Sequence, residues 1–359
     1  MSDQENYRAA VIGCGRIGGF IDNEVVDNPS ITLPYSHAAG YTHVDRTRLV
    51  ACSDLRPEIL DAFGEKYDVT HEHRYSDYEE MIEQEQPDIV SVATQPEQHA
   101  EMTLFAATHG VRAIYCEKPM AASMAEADAM LDAVEANGVT FNMGTNRRWD
   151  PGFELMKSVI QSGDIGDLQS LVIYFNGPLF NTASHAFDLT AFLNDDVPTT
   201  WVKADLMESE PAFEKERLLL DPKGLAAVQF ENGVSAHLLP TSRGTSCEAI
   251  CSEGTVASLN NGLDWELRRR CQNGLTPSPF PAYERSSPTA LLIEDLVQAL
   301  DAGSTATRGG VQVARANLEI IFGCIESHVK DGARVRMPLM NSPYRLDRSL
   351  EPRPVRHHP

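Results

Sequence analysis

The sequence predicts an α/β fold in two parts. An N-terminal doubly wound parallel sheet comes first, then an α/β domain with a large, mostly antiparallel sheet. Three observations predict it. Strand and helix patterns alternate up to about residue 145, as in sheets built from βαβ units. A glycine-rich turn joins the first strand to a helix. In the second half, strands follow one another across tight turns, with Asn232-Gly233 as a hairpin signal.

Residues 8–12 form a short apolar strand that runs into Gly13-Cys14-Gly15-Arg16-Ile17-Gly18. This G-x-G-x-x-G pattern between a strand and a helix is a dinucleotide-binding fingerprint. Gly13 makes the tight turn, Gly15 lets backbone approach a pyrophosphate, and Gly18 lets the helix pack on the strand. The N–H groups of the helix start are free to meet phosphates. The next strand, 48–53, ends at Asp54. An acid there accepts hydrogen bonds from ribose hydroxyls and favours NAD. Arg56 suits a 2′-phosphate, which leaves NADP open. Asp54 lies 41 residues after Gly13, well past the spacing of roughly 20 in the simple fingerprint. The excess, about residues 23–42 with Pro29 and Pro34, reads as an inserted loop.

Ile59, Leu60, Phe63 and Tyr67 share one helical face. Ser76 and Glu79 have capping-box spacing. Residues 89–94 read as a buried strand, followed by a helix over 97–109 with His99 in its first turn. The strand 113–116 ends in Glu117-Lys118-Pro119. Ligands of open α/β sheets bind beyond the carboxyl ends of the strands, so Lys118 is placed to reach one. Ser123 and Glu126 make a second capping box, Gly138 stops that helix, and a strand over 139–143 completes the sheet.

In the second half the expected strands are 168–175, 200–207, 224–231, 234–239, 249–252 and 255–259. Helices are expected over 184–193, 289–300 and 311–330, and a Pro- and Arg-rich tail from Met337 is expected to wrap the surface. Leu171, Ile173 and Phe175 alternate with Val172 and Tyr174, so that strand has two apolar faces. The division read from these patterns is a dinucleotide-binding domain over 1–145 and a substrate-binding and oligomerisation domain over 146–359.

Composition excludes some functions. The formal net charge of −22 repels nucleic acid and anionic membrane. No apolar run approaches the ~18 residues of a membrane span, and the polar, acidic start does not read as a secretory signal. Seven cysteines lack metal-site spacing, and Cys14, Cys52 and Cys116 fall in core strands. Reduced thiols and a cytoplasmic location are expected. His71 and His73 share one turn without the further ligands a zinc site needs, so no metal is expected.

The glycine fingerprint, Asp54, the Thr94-to-His99 strand end and above all Glu117-Lys118-Pro119 resemble the Gfo/Idh/MocA family, the glucose-fructose oxidoreductase and inositol dehydrogenase group. The resemblance continues through Asn146-Arg147-Arg148-Trp149-Asp150-Pro151 and Ser184-His185-Ala186-Phe187-Asp188, in the same order. It implies a Rossmann domain that holds NAD through Gly13, Gly15, Arg16, Ile17, Gly18, Asp54 and Arg56. Thr94, Pro96, His99, Glu117 and Lys118 are then expected on the nicotinamide side.

The activity implied is hydride transfer between nicotinamide and a hydroxyl-bearing carbon of a sugar, polyol or sugar derivative. His185 becomes the proton acceptor or donor, and an unperturbed histidine pKa of ~6.5 suits that role. Lys118 polarises the hydroxyl and is followed by a cis Lys118-Pro119 bond. Many relatives carry an aspartate four residues before the histidine; this chain has Asn181, which cannot bear the charge. Asp188 lies on the His185 side of its helix, placed to orient the ring. Asn146, Arg147 and Arg148 are candidate substrate contacts, since arginine forks match carboxylates and phosphates, while a structural ion pair between the domains is the favoured reading for at least one of the arginines. The resemblance also implies a homodimer or homotetramer. Two other activities suit the same motifs: a redox-neutral sugar lyase or hydrolase that uses NAD transiently, and a non-catalytic dinucleotide or sugar sensor.

Overall fold

Six parallel strands make the first sheet. They are β1 (Tyr7–Ile12), β2 (Thr47–Ser53), β3 (Arg74–Tyr75), β4 (Ile89–Val92), β5 (Ala113–Cys116) and β6 (Thr140–Met143). Their order is β3-β2-β1-β4-β5-β6, the doubly wound order of dinucleotide-binding folds. The computed structural model describes residues 6–207, 213–241 and 244–348. Helices α1 (Ile21–Val25), α2 (His37–His43), α3 (Pro57–Tyr67), α4 (Tyr78–Glu85), α5 (Pro96–Thr108) and α6 (Met124–Ala136) connect the strands. On α3, Ile59, Leu60 and Phe63 are buried, as their spacing predicts. Asp77, rather than Ser76, caps α4, accepting from the Glu79 N–H. The Ser123 cap on α6 forms as expected, but Glu126 turns back to the Ala122 N–H.

The inserted segment is not a loop. Residues 23–42 carry most of α2, whose start is capped by Ser36 and whose His37, Ala38 and Tyr41 are fully buried. Periodicity did not reveal it because α2 is only seven residues long.

The chain then runs through α7 (Pro151–Gln161), β7 (Leu168–Phe175), α8 (Ser184–Leu193), β8 (Thr199–Leu206), β9 (Phe213–Glu214), β10 (Arg217–Leu218), β11 (Gly224–Phe230) and β12 (Ser235–Pro240). It continues as β13 (Ser246–Cys251), β14 (Gly254–Leu259), β15 (Asp264–Cys271), β16 (Gly274–Ser278), α9 (Pro288–Asp301), α10 (Val311–Val329), β17 (Val335–Arg336) and β18 (Arg345–Leu346). Nine strands form the large sheet in the order β16-β15-β14-β13-β7-β12-β11-β8-β17. Every pairing is antiparallel except β7 with β12. The Asn232-Gly233 hairpin joins β11 to β12 with Gly233 at φ 89°, a conformation glycine adopts without strain. Leu171, Ile173 and Phe175 of β7 are buried, while Val172 and Tyr174 on the other face are half-buried.

The split at residue 145 is not clean in space. Helix α9 belongs to the second half in sequence, yet Leu292, Ile293 and Leu296 share a core with Val11, Tyr41 and Tyr115 of the first. The tail is not merely superficial either. Leu346 is fully buried, β18 pairs with β10, and the Leu346 N–H donates to the Ala122 carbonyl of the first domain (2.8 Å). Residues 349–359 of that tail lie outside the described residues.

Candidate active site

The carboxyl ends of β1, β4 and β5 form one edge. Hydrogen bonds continue past the strands: Gly13 N to Ser53 O (2.8 Å), Ala93 N to Ile12 O (2.8 Å) and Glu117 N to Val92 O (2.9 Å). The glycine turn, Thr94 and Lys118 are thereby aligned along the crevice where such sheets bind ligands.

The glycines fit a dinucleotide. Gly13 has φ 92°, and a Cβ there would lie 2.8 Å from the Ala93 carbonyl oxygen. A Cβ on Gly18 would lie 2.0 Å from the Gly13 oxygen. A Cβ on Gly15 would meet only the Arg56 guanidinium, at 3.3 Å, so the space above that turn stays open for phosphate. Asp54 is already engaged: Oδ2 accepts from the Cys14 N–H (3.0 Å), and Arg56 forks both oxygens at 2.9 and 3.0 Å. Arg16 is exposed and paired with Glu24, and Ile17 is half-buried beside it. Thr94 is half-buried, its hydroxyl on Met102 Sδ, and Pro96 is buried in the first turn of α5.

His99 departs from the expectation. It is fully buried, with Nδ1 on the Pro119 carbonyl (2.9 Å) and Nε2 facing the Thr94 carbonyl (3.3 Å). Burial holds its pKa below the ordinary histidine value. It braces the Lys118-Pro119 turn from below and does not face the crevice. The Lys118-Pro119 bond is cis, as the resemblance implies.

Glu117 also points inward. Its Oε1 accepts from His37 Nε2 (3.1 Å), and His37 Nδ1 meets Ser91 Oγ (2.8 Å), which in turn meets the Tyr41 hydroxyl (2.8 Å). The His37 ring stacks on Tyr115 at 3.8 Å. The His37 ring thus bridges Ser91 and Glu117 with both nitrogens. Burial raises the Glu117 pKa, but the His37 hydrogen bond and nearby positive groups outweigh it and hold the carboxyl below the usual range. The insertion therefore contributes His37 to the floor under Lys118, a role with no sequence signal other than one histidine in a helix start.

Lys118 is half-buried, and Nζ donates to the Asn181 carbonyl (2.8 Å) and to Asn181 Oδ1 (2.9 Å). Burial lowers its pKa, against opposing effects of Glu117 and Asp221. Asn181 lies on the turn Leu179–Ala183, which runs directly into α8 and His185. His185 is half-buried, with Nδ1 buried and without a hydrogen-bond partner. Burial first, then the charges of Lys118 and Arg147, push its pKa well below 6.5. The shift favours the neutral ring.

Three expectations are corrected by the packing. Asp188 does not orient His185: it is fully buried, and its Oδ1 accepts from Arg148 Nε (2.8 Å). Arg148 does not face the cleft, since its remaining nitrogens go to Asp196 at 2.8 and 2.6 Å and to the Arg308 carbonyl. Asn146 is buried and donates to Thr289 Oγ1 (3.1 Å). These groups fasten the domain crossing to α8 and α9. Arg147, by contrast, is half-buried, held by Asn261 Oδ1 at 2.5 Å, with Nε unpartnered. The side chains of Arg148 and Asp188 are 1% and 0% exposed, so losing Asp188 leaves the buried Nε of Arg148 without its acceptor while Asp196 still holds the other nitrogens. Asp188→Ala is expected to destabilise the protein by about 1–3 kcal/mol. Urea unfolding of the two proteins side by side checks this, and a change under about 1 kcal/mol would show the pair to be dispensable.

Sequence reasoning also missed Asp221. Its Oδ1 accepts from the Phe180 N–H and its Oδ2 from the Asn181 N–H, both at 2.9 Å. Nothing in the local sequence, Leu220-Asp221-Pro222, marks it as other than a turn acid. His73, weighed for metal, is turned to Glu85 at 2.5 Å.

A doubly wound parallel sheet with a glycine turn at its carboxyl edge and Lys118 at a neighbouring strand end is the arrangement of NAD-binding oxidoreductases. Residues 7–145 match the model of the Gfo/Idh/MocA oxidoreductase family, NAD-binding Rossmann fold. D-Apiose dehydrogenase of Paraburkholderia graminis is 32% identical over 309 residues, 79% of this chain and 76% of that protein. Myo-inositol 2-dehydrogenase of Thermotoga maritima is 31% identical over 171 residues, 48% of this chain and 46% of that protein. The crystal structure of aldose-aldose oxidoreductase from Caulobacter crescentus, complexed with glycerol, superposes with a TM-score of 0.75 at 19% identity. That match covers 93% of this chain and 100% of that one. The chain belongs to the Gfo/Idh/MocA family of NAD-binding oxidoreductases.

Proposed function

We propose that the protein oxidises a hydroxyl-bearing carbon of a sugar, polyol or sugar derivative with NAD, or runs the reverse reduction. The observation that carries this is Lys118 held by Asn181, four residues before His185, close enough for the lysine's charge to act on the imidazole. Bound NAD would supply the hydride acceptor. The chain supplies the rest. Lys118 donates a hydrogen bond to the substrate oxygen and favours its anionic form as charge develops. His185 takes the hydroxyl proton, through Nε2, since Nδ1 is enclosed. The Arg147 charge reaches both groups.

The test is a panel of sugars and polyols, with D-apiose and myo-inositol among them because relatives are named for them, assayed for NADH formation with NADP in parallel. Turnover of at least one supports the reading. Tight NAD binding with no reduction by any of them removes it and leaves the redox-neutral enzyme, marked by sugar turnover without net NADH, or the sensor.

Asp54, although forked by Arg56, remains the acid at the ribose position. Asp54→Ala is expected to move the ratio of kcat/KM for NAD over NADP toward NADP by roughly 10- to 100-fold, the worth of a hydrogen bond to a charged group. An unchanged ratio would remove Asp54 from ribose recognition. The open face of the large sheet, with Val172 and Tyr174 half-buried and Leu225 and Leu239 exposed, is proposed to cover a second copy. Light scattering at a monomer's mass would discard that.

A further inference from the structure

We propose that Asp221 provides, from another part of the chain, the carboxylate missing at position 181, and that it is a positioning residue for Lys118. The inference rests on the oxidoreductase function proposed above. Lys118 Nζ is held by two atoms of one residue, the carbonyl and Oδ1 of Asn181. Asn181 sits on the five-residue turn Leu179–Ala183, whose own N-terminal side chains cap nothing. What fixes the turn is the segment around Asp221. The Asp221 carboxylate takes the Phe180 and Asn181 N–H groups, one on each oxygen, and the Pro222 carbonyl takes the Leu179 N–H (2.8 Å). The lysine, the asparagine and the aspartate thus form one hydrogen-bonded chain.

The aspartate is itself anchored to the lysine's strand end. Leu218, three residues earlier, pairs with Leu346, and the Asp347 N–H donates to the Leu218 carbonyl (2.9 Å). Leu346 in turn donates to Ala122, four residues after Lys118. Both ends of the chain are therefore tied to the same strap. The charged groups around Lys118 are Glu117, Asp221, Arg147 and Arg16. Glu117 is committed to buried His37, so Asp221 is the other acid whose charge acts on Lys118. Around Asp221 the charges are Lys118 and Arg348, and Arg348 is already paired with Glu97. Burial raises the Asp221 pKa to about 6, against its two backbone donors and these cations. It is ionised at neutral pH and loses its charge in mild acid. Its loss removes an anion that favours charged Lys118.

Three variants test this: Asp221→Asn, Asn181→Asp, and the two combined. Asp221→Asn is expected to lower kcat roughly 10-fold or more, with NAD affinity kept and the acid limb near pH 6 lost. The double variant, in which the carboxylate sits directly against Lys118, is expected to recover most of kcat. A purely structural role would give a less stable Asp221→Asn that the second change does not rescue. Wild-type kcat and pH profile in Asp221→Asn, or a double variant no better than the single, overturns the proposal. If Asp221→Asn does not fold, Asn181→Asp alone decides: its acid limb must move, and an unmoved limb overturns the proposal. Should the wild type oxidise nothing in the panel, the functional reading fails separately. The positioning claim is then read from the pH dependence of Lys118 acetylation by mass spectrometry. Asp221→Asn must lower the apparent Lys118 pKa, and an unchanged value overturns the claim.

Discussion

Lys118→Met is expected to lower kcat by about 10²- to 10³-fold, the cost of removing one donor to a developing oxyanion. NAD affinity is expected to hold, because Lys118 is tied to the Asn181 side of the cleft and not to the glycine turn. A fall in kcat/KM that matches the fall in kcat marks an interaction made in the transition state. A change in KM alone would reduce Lys118 to a substrate contact. The variant has a second readout. The Lys118 charge is one cause of the depressed His185 pKa, so its removal must raise that pKa. NMR titration of the imidazole detects the rise without turnover, and no shift would place the two groups farther apart than the structure does.

His185→Gln is expected to lower kcat in the oxidation direction by about 10²- to 10⁴-fold, the range for a positioned general base. The sign of the pH dependence follows from burial. A histidine whose folded pKa lies below its unfolded value is neutral in the native state. Its base function persists as pH falls through ~6.5 and fails only below its folded pKa. The same shift makes the native state bind fewer protons than the unfolded chain in that window, so stability falls as pH falls there. His185→Gln must therefore flatten the low-pH loss of stability as well as slow turnover. Denaturant midpoints from neutral to acid pH report the first effect and steady-state rates the second. A variant with wild-type rates would move the proton transfer to another group.

Much of this site was legible in the chain. The glycine spacing at Gly13, Gly15 and Gly18 specifies backbone geometry, and the structure places each where a Cβ would collide or a phosphate would approach. Lys118 was legible because a strand end in an open parallel sheet is a ligand position whatever the side chain. His185 was legible through the resemblance, since a histidine on an amphipathic helix is more often a core residue. Asp188 was misplaced for one reason. Helical spacing says which residues share a face, not which of two neighbouring charges will claim the acid. Here a fully buried arginine from the domain crossing claims it. His99 was placed in the right neighbourhood but on the wrong side of the strand end, because both its nitrogens find carbonyls below the turn.

By itself the sequence determined the α/β class, the strand–helix alternation of the first half and the glycine turn, and it singled out Lys118 at a strand end. These rest on local patterns: alternation, glycine spacing and strand ends. The tertiary structure alone decided who surrounds them. His37 from the insertion meets Glu117 80 residues away, and Asp221 meets Asn181 40 residues away. Such pairings carry no periodic signal, because they are set by how the inserted helix, the β10 connection and the C-terminal strap pack against the sheet edge. The physical reason is burial. Each of these polar groups is drawn from water by packing and must find a partner, and the partner is whichever group the fold delivers.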